Sequence, residues 1–151
     1  MNLKDISINV FQALVKDQEL LDLLEVPSTS MKDIREQILE DRYPSDLIEN
    51  SATRICVFEN PSSPTLNPLV EKGWIEVDIY VTKEKNKVDR RVLLIAQRVI
   101  DLLDTDKRKR RGKAPIPTGI GLYYYNRLAN LPTDNWEWIK YGLIFQYDNI
   151  K

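Results

Sequence analysis

The chain has 151 residues, of which 42% are hydrophobic and 30% are charged. This length favours one domain, and this composition excludes a disordered or fibrous chain, so we expect a single globular domain over residues 1–151. The formal net charge is −1, but the six Lys and Arg residues between Lys107 and Lys113 leave a net charge of −7 on the remainder. A mildly acidic body with one basic segment differs from the generally basic surface of a duplex-DNA-binding protein.

Residues that commonly carry chemistry are scarce. The chain has no histidine and one cysteine, Cys56, which stands among apolar residues and is expected to be a buried structural thiol. Missing histidine removes Ser-His and Cys-His pairs, His-based zinc sites and the commonest general base. A Walker-type phosphate loop is absent, and Gly119 and Gly121 lack the third glycine of a dinucleotide fingerprint. We therefore predict no enzyme activity, no cofactor and no metal site.

The N-terminal segment lacks the apolar run of a signal peptide, and no stretch approaches the roughly 20 apolar residues of a membrane span. We expect a protein that is cytoplasmic at synthesis and makes no membrane contact.

Apolar residues recur at helical spacing in the N-terminal part, residues 1–41. Ile6, Val10 and Leu14 predict a first helix. Asp17 is a plausible N-cap of a second helix, and Ser30, with an acidic residue three positions later, begins the capping signal of a third. The first 41 residues are therefore predicted to be helical.

Residues 53–148 are predicted to form a sheet with one long helix. β-Branched and aromatic residues mark four strands, within residues 53–59, 73–83, 118–128 and 136–148. Asn86 is predicted to cap the long helix, whose apolar stripe consists of Val88, Val92, Ile95, Val99 and Leu102 or Leu103. Residues 60–70, which are rich in proline, and residues 105–117 are predicted loops. The fold class is α+β, an antiparallel sheet of about four strands with helices packed on one face.

Strand alternation places large aromatic and charged residues on the sheet face opposite the helices. These residues are Trp74, Glu76, Asp78, Trp136, Trp138 and Lys140. Trp is a favoured interface anchor, so we predict a subunit interface here, with cover by the chain itself as the alternative. Lys140 is a candidate charge partner for the two carboxylates, and a divalent metal held by the carboxylates is a weaker alternative.

The basic segment has three interpretations. It consists of Lys107, Arg108, Lys109, Arg110, Arg111 and Lys113. It is a salt-sensitive phosphate contact, a docking site for an acidic protein surface, or a solvated loop. Aromatic residues for base stacking are missing from the segment, which favours a protein partner or a lumen lining over recognition of a DNA sequence.

Four stretches carry a family resemblance: "DQELLDLLEV", "RYPSDLIENSATRICVFE", "WIEVDIYVTKEKNKVDRRVLLIAQRVIDLLD" and "GLYYYNRLANLPTDNWEWIKYGLIFQY". Their pattern resembles the tail-completion or tail-terminator proteins, the head-tail joining proteins of long-tailed bacteriophages and prophages. The resemblance implies a ring, commonly a homohexamer, which halts polymerisation of the tail tube and provides the docking surface for the head.

The partners implied by the resemblance are other copies of the chain, the tail tube protein and a head connector or head-completion protein, with DNA in the channel as a further candidate. The implied location is the host cytoplasm during assembly and then the neck or tail of the virion. An extra helical segment at Met31–Asp41 and a long proline-rich loop depart from the family pattern. Another head-tail connector component is therefore an alternative, as is a nucleic-acid-binding protein that uses residues 107–113 as a phosphate clamp.

Overall fold

The structure is a computed structural model that describes residues 3–40, 52–64, 70–113, 121–131, 133 and 137–150. Its helices are α1 (Leu3–Val15), α2 (Gln18–Leu23), α3 (Met31–Gln37), α4 (Lys83–Asp89), α5 (Arg91–Leu103) and α6 (Thr105–Arg110). Its strands are β1 (Ile38–Leu39), β2 (Arg54–Pro64), β3 (Val70–Thr82), β4 (Tyr123–Leu131) and β5 (Trp138–Ile150).

The five strands form one sheet in the order β1-β2-β3-β5-β4. β1 runs parallel to β2, and every other pair is antiparallel. β3 lies at the centre, between β2 and β5, and pairs with β5 along its entire length. The predicted α+β class is confirmed, and the last two predicted strands form the antiparallel pair of β4 and β5. β1 was not predicted, because two residues are too few to show a strand periodicity.

The core lies between one face of this sheet and the helices. Ile75, Val77 and Ile79 of β3 share that face, and their partners on β5 include Leu143 and Phe145. All five are at most 1% exposed and belong to one apolar cluster with residues of α1, α2 and α5. Alternation along β3 thus directs one row of side chains towards the helices.

Two predicted helix caps are confirmed. Asp17 Oδ2 accepts a hydrogen bond from the Leu20 backbone N–H at 2.9 Å, and Ser30 Oγ accepts one from Asp33 N–H at 3.3 Å. Asp17 also binds Arg98 of α5, with Oδ1–Nη2 at 2.6 Å and Oδ2–Nε at 2.8 Å. Burial raises the pKa of Asp17, but the hydrogen bonds and charge of Arg98 outweigh burial and hold it below its usual value. The carboxylate therefore joins α2 to α5.

The predicted start of the long helix is wrong. α4 already begins at Lys83, capped by Thr82, and Arg90 with φ of 53° separates α4 from α5. Asn86 does not begin a helix, but its Oδ1 accepts a hydrogen bond from Val92 N–H at 3.0 Å and so caps α5 from the preceding turn. Val88 was placed in the apolar stripe and is instead 83% exposed, because the break at Arg90 removes α4 from the register of α5. The rest of the stripe is buried: Val92, Ile95, Val99, Leu102 and Leu103.

Both predicted loops are shorter than expected. β2 continues to Pro64 and β3 begins at Val70, so residues 65–69, which lie outside the described residues, are all that separates them. A register shift between Asn60 and Ser63 adds an extra residue to β2, the kind of irregularity at which strands tolerate proline. The segment 105–117 begins with α6, and its residues 114–117 lie outside the described residues.

Truncating the buried face of α5 should destabilise the protein far more than truncating its outer face. Ile95 is 0% exposed and its neighbour Leu94 is 44% exposed. We expect Ile95→Ala to lower the free energy of unfolding by roughly 2–5 kcal/mol, because it removes packed methyl groups and leaves a cavity. Leu94→Ala is the matched control, with an expected loss below about 1 kcal/mol. Urea denaturation measures both, and equal losses would contradict the orientation of α5.

Candidate functional site

The first half of the basic segment is a helix anchored to the sheet. Asp104 caps α6, since its Oδ2 accepts a hydrogen bond from Lys107 N–H at 3.1 Å. The other oxygen of Asp104 accepts one from Tyr124 N–H of β4 at 2.8 Å. Thr105 N–H donates to the Leu122 carbonyl at 2.8 Å. α6 is therefore held beside β4, and the prediction of a loop at residues 105–110 was wrong.

Half of the basic side chains are engaged within the subunit. Lys107 Nζ lies 3.3 Å from Asp101 Oδ1, and Arg111 Nη2 lies 3.3 Å from Asp101 Oδ2. Arg108 Nη1 donates to the carbonyl of Leu102 at 3.0 Å. These contacts fasten α6 to the end of α5, so part of the basic segment has a structural role.

Besides Arg111, which pairs with Asp101, three cations of the segment are exposed, and we call these three the basic surface: Lys109, Arg110 and Lys113. None of them forms an ion pair with any residue that the structure describes. Lys113 adds a positive field that helps to lower the pKa of Asp17. The basic surface is thus carried by the end of an ordered helix and the turn that follows it.

The sheet face opposite the helices is buried and charged. Arg54 and Asp78 are 0% exposed and Glu76 is 9% exposed. Lys140 Nζ lies 3.5 Å from Asp78 Oδ2, across the β3–β5 pair. Lys140 was predicted as a charge partner of the carboxylates, and its contact with Asp78 agrees with this. Arg54 was not predicted, because its burial depends on neighbours that are remote in sequence.

The carboxyl group of Asp78 titrates abnormally. Burial raises its pKa from 3.8 to about 8, and Glu76 adds to the rise. Lys140 opposes the shift without cancelling it. Asp78 therefore retains a proton near neutral pH, and its contact with Lys140 at 3.5 Å is then weaker than that of a fully charged ion pair.

Aromatic rings complete the cover of these charges. The guanidinium of Arg54 lies 5.6 Å from the ring centroid of Trp138, and Lys140 Nζ lies 5.5 Å from that of Tyr80. Such cation–π geometry stabilises a cation removed from water. Trp138 itself is 4% exposed, in a cluster with Cys56 and Tyr80. Cys56 is buried, as predicted.

The predicted subunit interface consequently divides into three groups. Glu76, Asp78 and Trp138 lie inside the subunit, which agrees with the alternative of cover by the chain itself. Trp74 and Lys140 are partly exposed, and a subunit contact at these two stays a prediction. Trp136 lies outside the described residues.

The described part of the chain contains no group of three or more Cys, Asp or Glu residues that is arranged to hold a metal ion. Asp78 adjoins Glu76 and Lys140, and no third carboxylate among the described residues acts on its pKa. None of the described helices is long and apolar enough to span a bilayer.

Comparison with known proteins identifies the family. The family model named YomW matches residues 17–127, more than two thirds of the chain. This chain belongs to the YomW family. A solved structure with a similar fold is a chain from the virion of a native gene transfer agent particle, with a TM-score of 0.61 and 14% sequence identity. The match covers 94% of this chain and 92% of that chain, and at this identity it establishes a shared fold. Comparison with curated proteins gives no match.

Removing the cap of α6 should loosen the basic surface of this YomW-family chain. In Asp104→Ala the N–H groups of Lys107 and Tyr124 lose their acceptor, which costs about 1–3 kcal/mol of stability. We expect faster hydrogen exchange at the α6 amides before global unfolding. Asp106→Ala is the matched control, because Asp106 is an exposed acidic residue in the same helix. Unchanged exchange in Asp104→Ala would show that Asp104 does not hold the helix.

The buried carboxyl group makes stability depend on pH. Between about pH 4 and pH 8, folded Asp78 holds a proton that the unfolded chain releases, so its contribution to stability is lost as the pH rises through this window. Asp78→Asn removes the titration. We expect the stability of this variant relative to wild type to increase from about pH 5 to about pH 8, by up to roughly 4 kcal/mol.

Urea denaturation at both pH values measures this difference. Asp106→Asn serves as the control, because an exposed carboxylate should change stability little at either pH. A constant difference between Asp78→Asn and wild type at both pH values would mean that folded Asp78 is ionised.

Proposed function

We propose that this protein is a structural component of a phage-type particle, and specifically a ring-forming tail terminator that caps the tail tube and joins it to the head connector. The observation that carries the proposal is the shared fold with a chain of a gene transfer agent virion, which extends over nearly the full length of both chains. The YomW family is phage-derived, which supports the same class of protein. The more specific role of tail terminator is supported by the resemblance of the sequence to tail-terminator proteins.

The geometry of the basic surface suits docking to another protein. Lys109 and Arg110 project from an anchored helix, and this fixed position favours contact with a defined acidic surface of the tail tube or connector. α6 carries no aromatic side chain that would stack on a base. The surface would therefore act as a joint between particle components.

A nucleic-acid clamp is the second candidate, and the exposure of Lys109, Arg110 and Lys113 favours it. Under this alternative, binding to DNA falls steeply as salt rises, because each phosphate contact releases counterions. Two or three free cations predict a shallower dependence of the DNA-binding constant on salt concentration than the six cations counted in the sequence would. Fluorescence anisotropy with a short duplex at several salt concentrations measures that dependence.

The tail-terminator proposal is tested by mass measurement and electron microscopy. We expect a closed ring of several copies in solution, and labelled protein at one end of the tail tube in assembled particles. Particles made without the chain should have tails of uncontrolled length that are not joined to heads. Normal head-tail joining and normal tail length in its absence would overturn the proposal.

A further inference from the structure

Exposed charged residues lie at both lateral ends of the sheet. The basic surface lies at the β4 edge, since Asp104 and Thr105 bind the backbone of Tyr124 and Leu122. α3 lies at the opposite edge, where it leads directly into β1 and contacts β2. In the strand order β1-β2-β3-β5-β4, these are the two lateral ends of one sheet.

The segment that leads to the β1 end, residues 17–40, contains seven carboxylates and two cations. Four of these carboxylates belong to α2, its cap and the turn after it, and α2 packs on α5 rather than beside β1. Several carboxylates are used inside the subunit: Asp17 binds Arg98, and Glu25 binds Lys85 and Arg91. These internal pairs do not face a partner, so the surface relevant to association is smaller than the sequence suggests.

Glu36 and Glu40 form the remaining part, which we call the acidic surface. Both are exposed, they flank β1, and neither forms an ion pair within the described ranges. Gln37 between them is buried, and its Nε2 donates to the backbone carbonyls of Leu24 and Thr53. The acidic surface is therefore fixed to the sheet at β2, as the basic surface is fixed at β4.

The two cations of α3, Arg35 and Lys32, differ in how far they can neutralise the acidic surface. The guanidinium of Arg35 lies 5.2 Å from the ring centroid of Phe11 and is thereby directed towards α1. Lys32, in the first turn of α3, is exposed and lies one helical turn before Glu36. Glu40 follows β1 and is further from Lys32 in sequence than Glu36 is. Glu40 is therefore the stronger candidate for an ion pair with another molecule.

We propose that the basic surface of one copy binds the acidic surface of a second copy, in a head-to-tail contact. Opposite charges at opposite ends of a single fold are complementary between identical molecules, and each contact leaves one basic and one acidic surface free for the next copy. Such a heterologous contact generates a ring when the rotation closes. This inference rests on the proposed ring, and it assigns the residues that hold the ring together.

A second copy fits these observations better than a nucleic acid. A polyanion would use the basic surface and leave the acidic surface without a role. It would also approach a chain whose remaining residues carry a net charge of −7. A second copy uses both surfaces, and the attraction between them is local.

The test is a charge swap measured by mass photometry and electron microscopy at low salt, about 50 mM, and high salt, about 500 mM. The base-reversed variant is Lys109→Glu with Arg110→Glu, and the acid-reversed variant is Glu36→Lys with Glu40→Lys. Each should weaken the subunit contact at least about tenfold at low salt, because it places like charges opposite each other. In wild type, high salt should weaken the contact as well.

Restoration is the decisive result. Mixing the two reversed variants should restore rings of alternating subunits, and one chain with all four substitutions should restore rings of a single kind. Lys72→Glu with Lys87→Glu is the matched control, because it changes the net charge equally at two exposed lysines elsewhere, on β3 and α4. The control should assemble like wild type. Thermal unfolding of each variant checks that the exposed substitutions leave the subunit folded.

The outcomes separate this inference from the proposed function. Rings that persist in either reversed variant would overturn the contact and leave the ring intact. Loss of rings without restoration in the mixture or in the fourfold variant would overturn it too, and parallel loss of DNA binding in the base-reversed variant would indicate the phosphate clamp instead. A wild-type chain that stays monomeric would overturn both the ring and the contact.

Discussion

The pairing of β3 with β2 and β5 is the constraint on which the other features depend. β3 is paired with β5 along all 13 of its residues, and with β2 on its other side. Because side chains alternate along a strand, this register sends Ile75, Val77 and Ile79 to the helices and sends Glu76 and Asp78 to the other face. A shift of the β3 register by one residue would bury its carboxylates under α5. The apolar row and the charged row therefore favour the same register.

Burial of the charged row has consequences for association. A carboxyl group that is removed from water either loses its charge or needs a close partner of opposite charge. Asp78 loses its charge by keeping its proton, and Lys140 is a partner only at 3.5 Å. Arg54 is accommodated against Trp138. With the helices on one face and the buried charges on the other, the basic surface and the acidic surface stand at the lateral ends of the sheet. The proposed contact between copies therefore uses α6 and α3.

Features set by local sequence could be predicted, and features set by distant neighbours could not. The caps at Asp17 and Ser30, the alternation of β3 and most of the α5 stripe depend on residues within one or two turns. The left-handed Arg90 and the burial of the second sheet face depend on tertiary packing, for which a single sequence contains no periodic signal. α6 is a different case: Asp104, three residues before Lys107, is of a type that caps helices, but a run of like charges is typical of a loop.

The end strand of the sheet explains why side chains rather than backbone should join one copy to the next. An unpaired edge strand can extend its sheet into another molecule, and β-bulges are a common way to prevent this. β4 pairs only with β5 among the described strands, and its register shifts twice, between Tyr124 and Asn126 and between Leu128 and Leu131. These shifts oppose a regular ladder with a second copy. Ion pairs from α6, which stands beside β4, avoid that requirement, because they need only approximate alignment and become weaker as salt rises. Such contacts permit subunits to dissociate and rebind until a ring closes, whereas an extended ladder would favour open-ended aggregation.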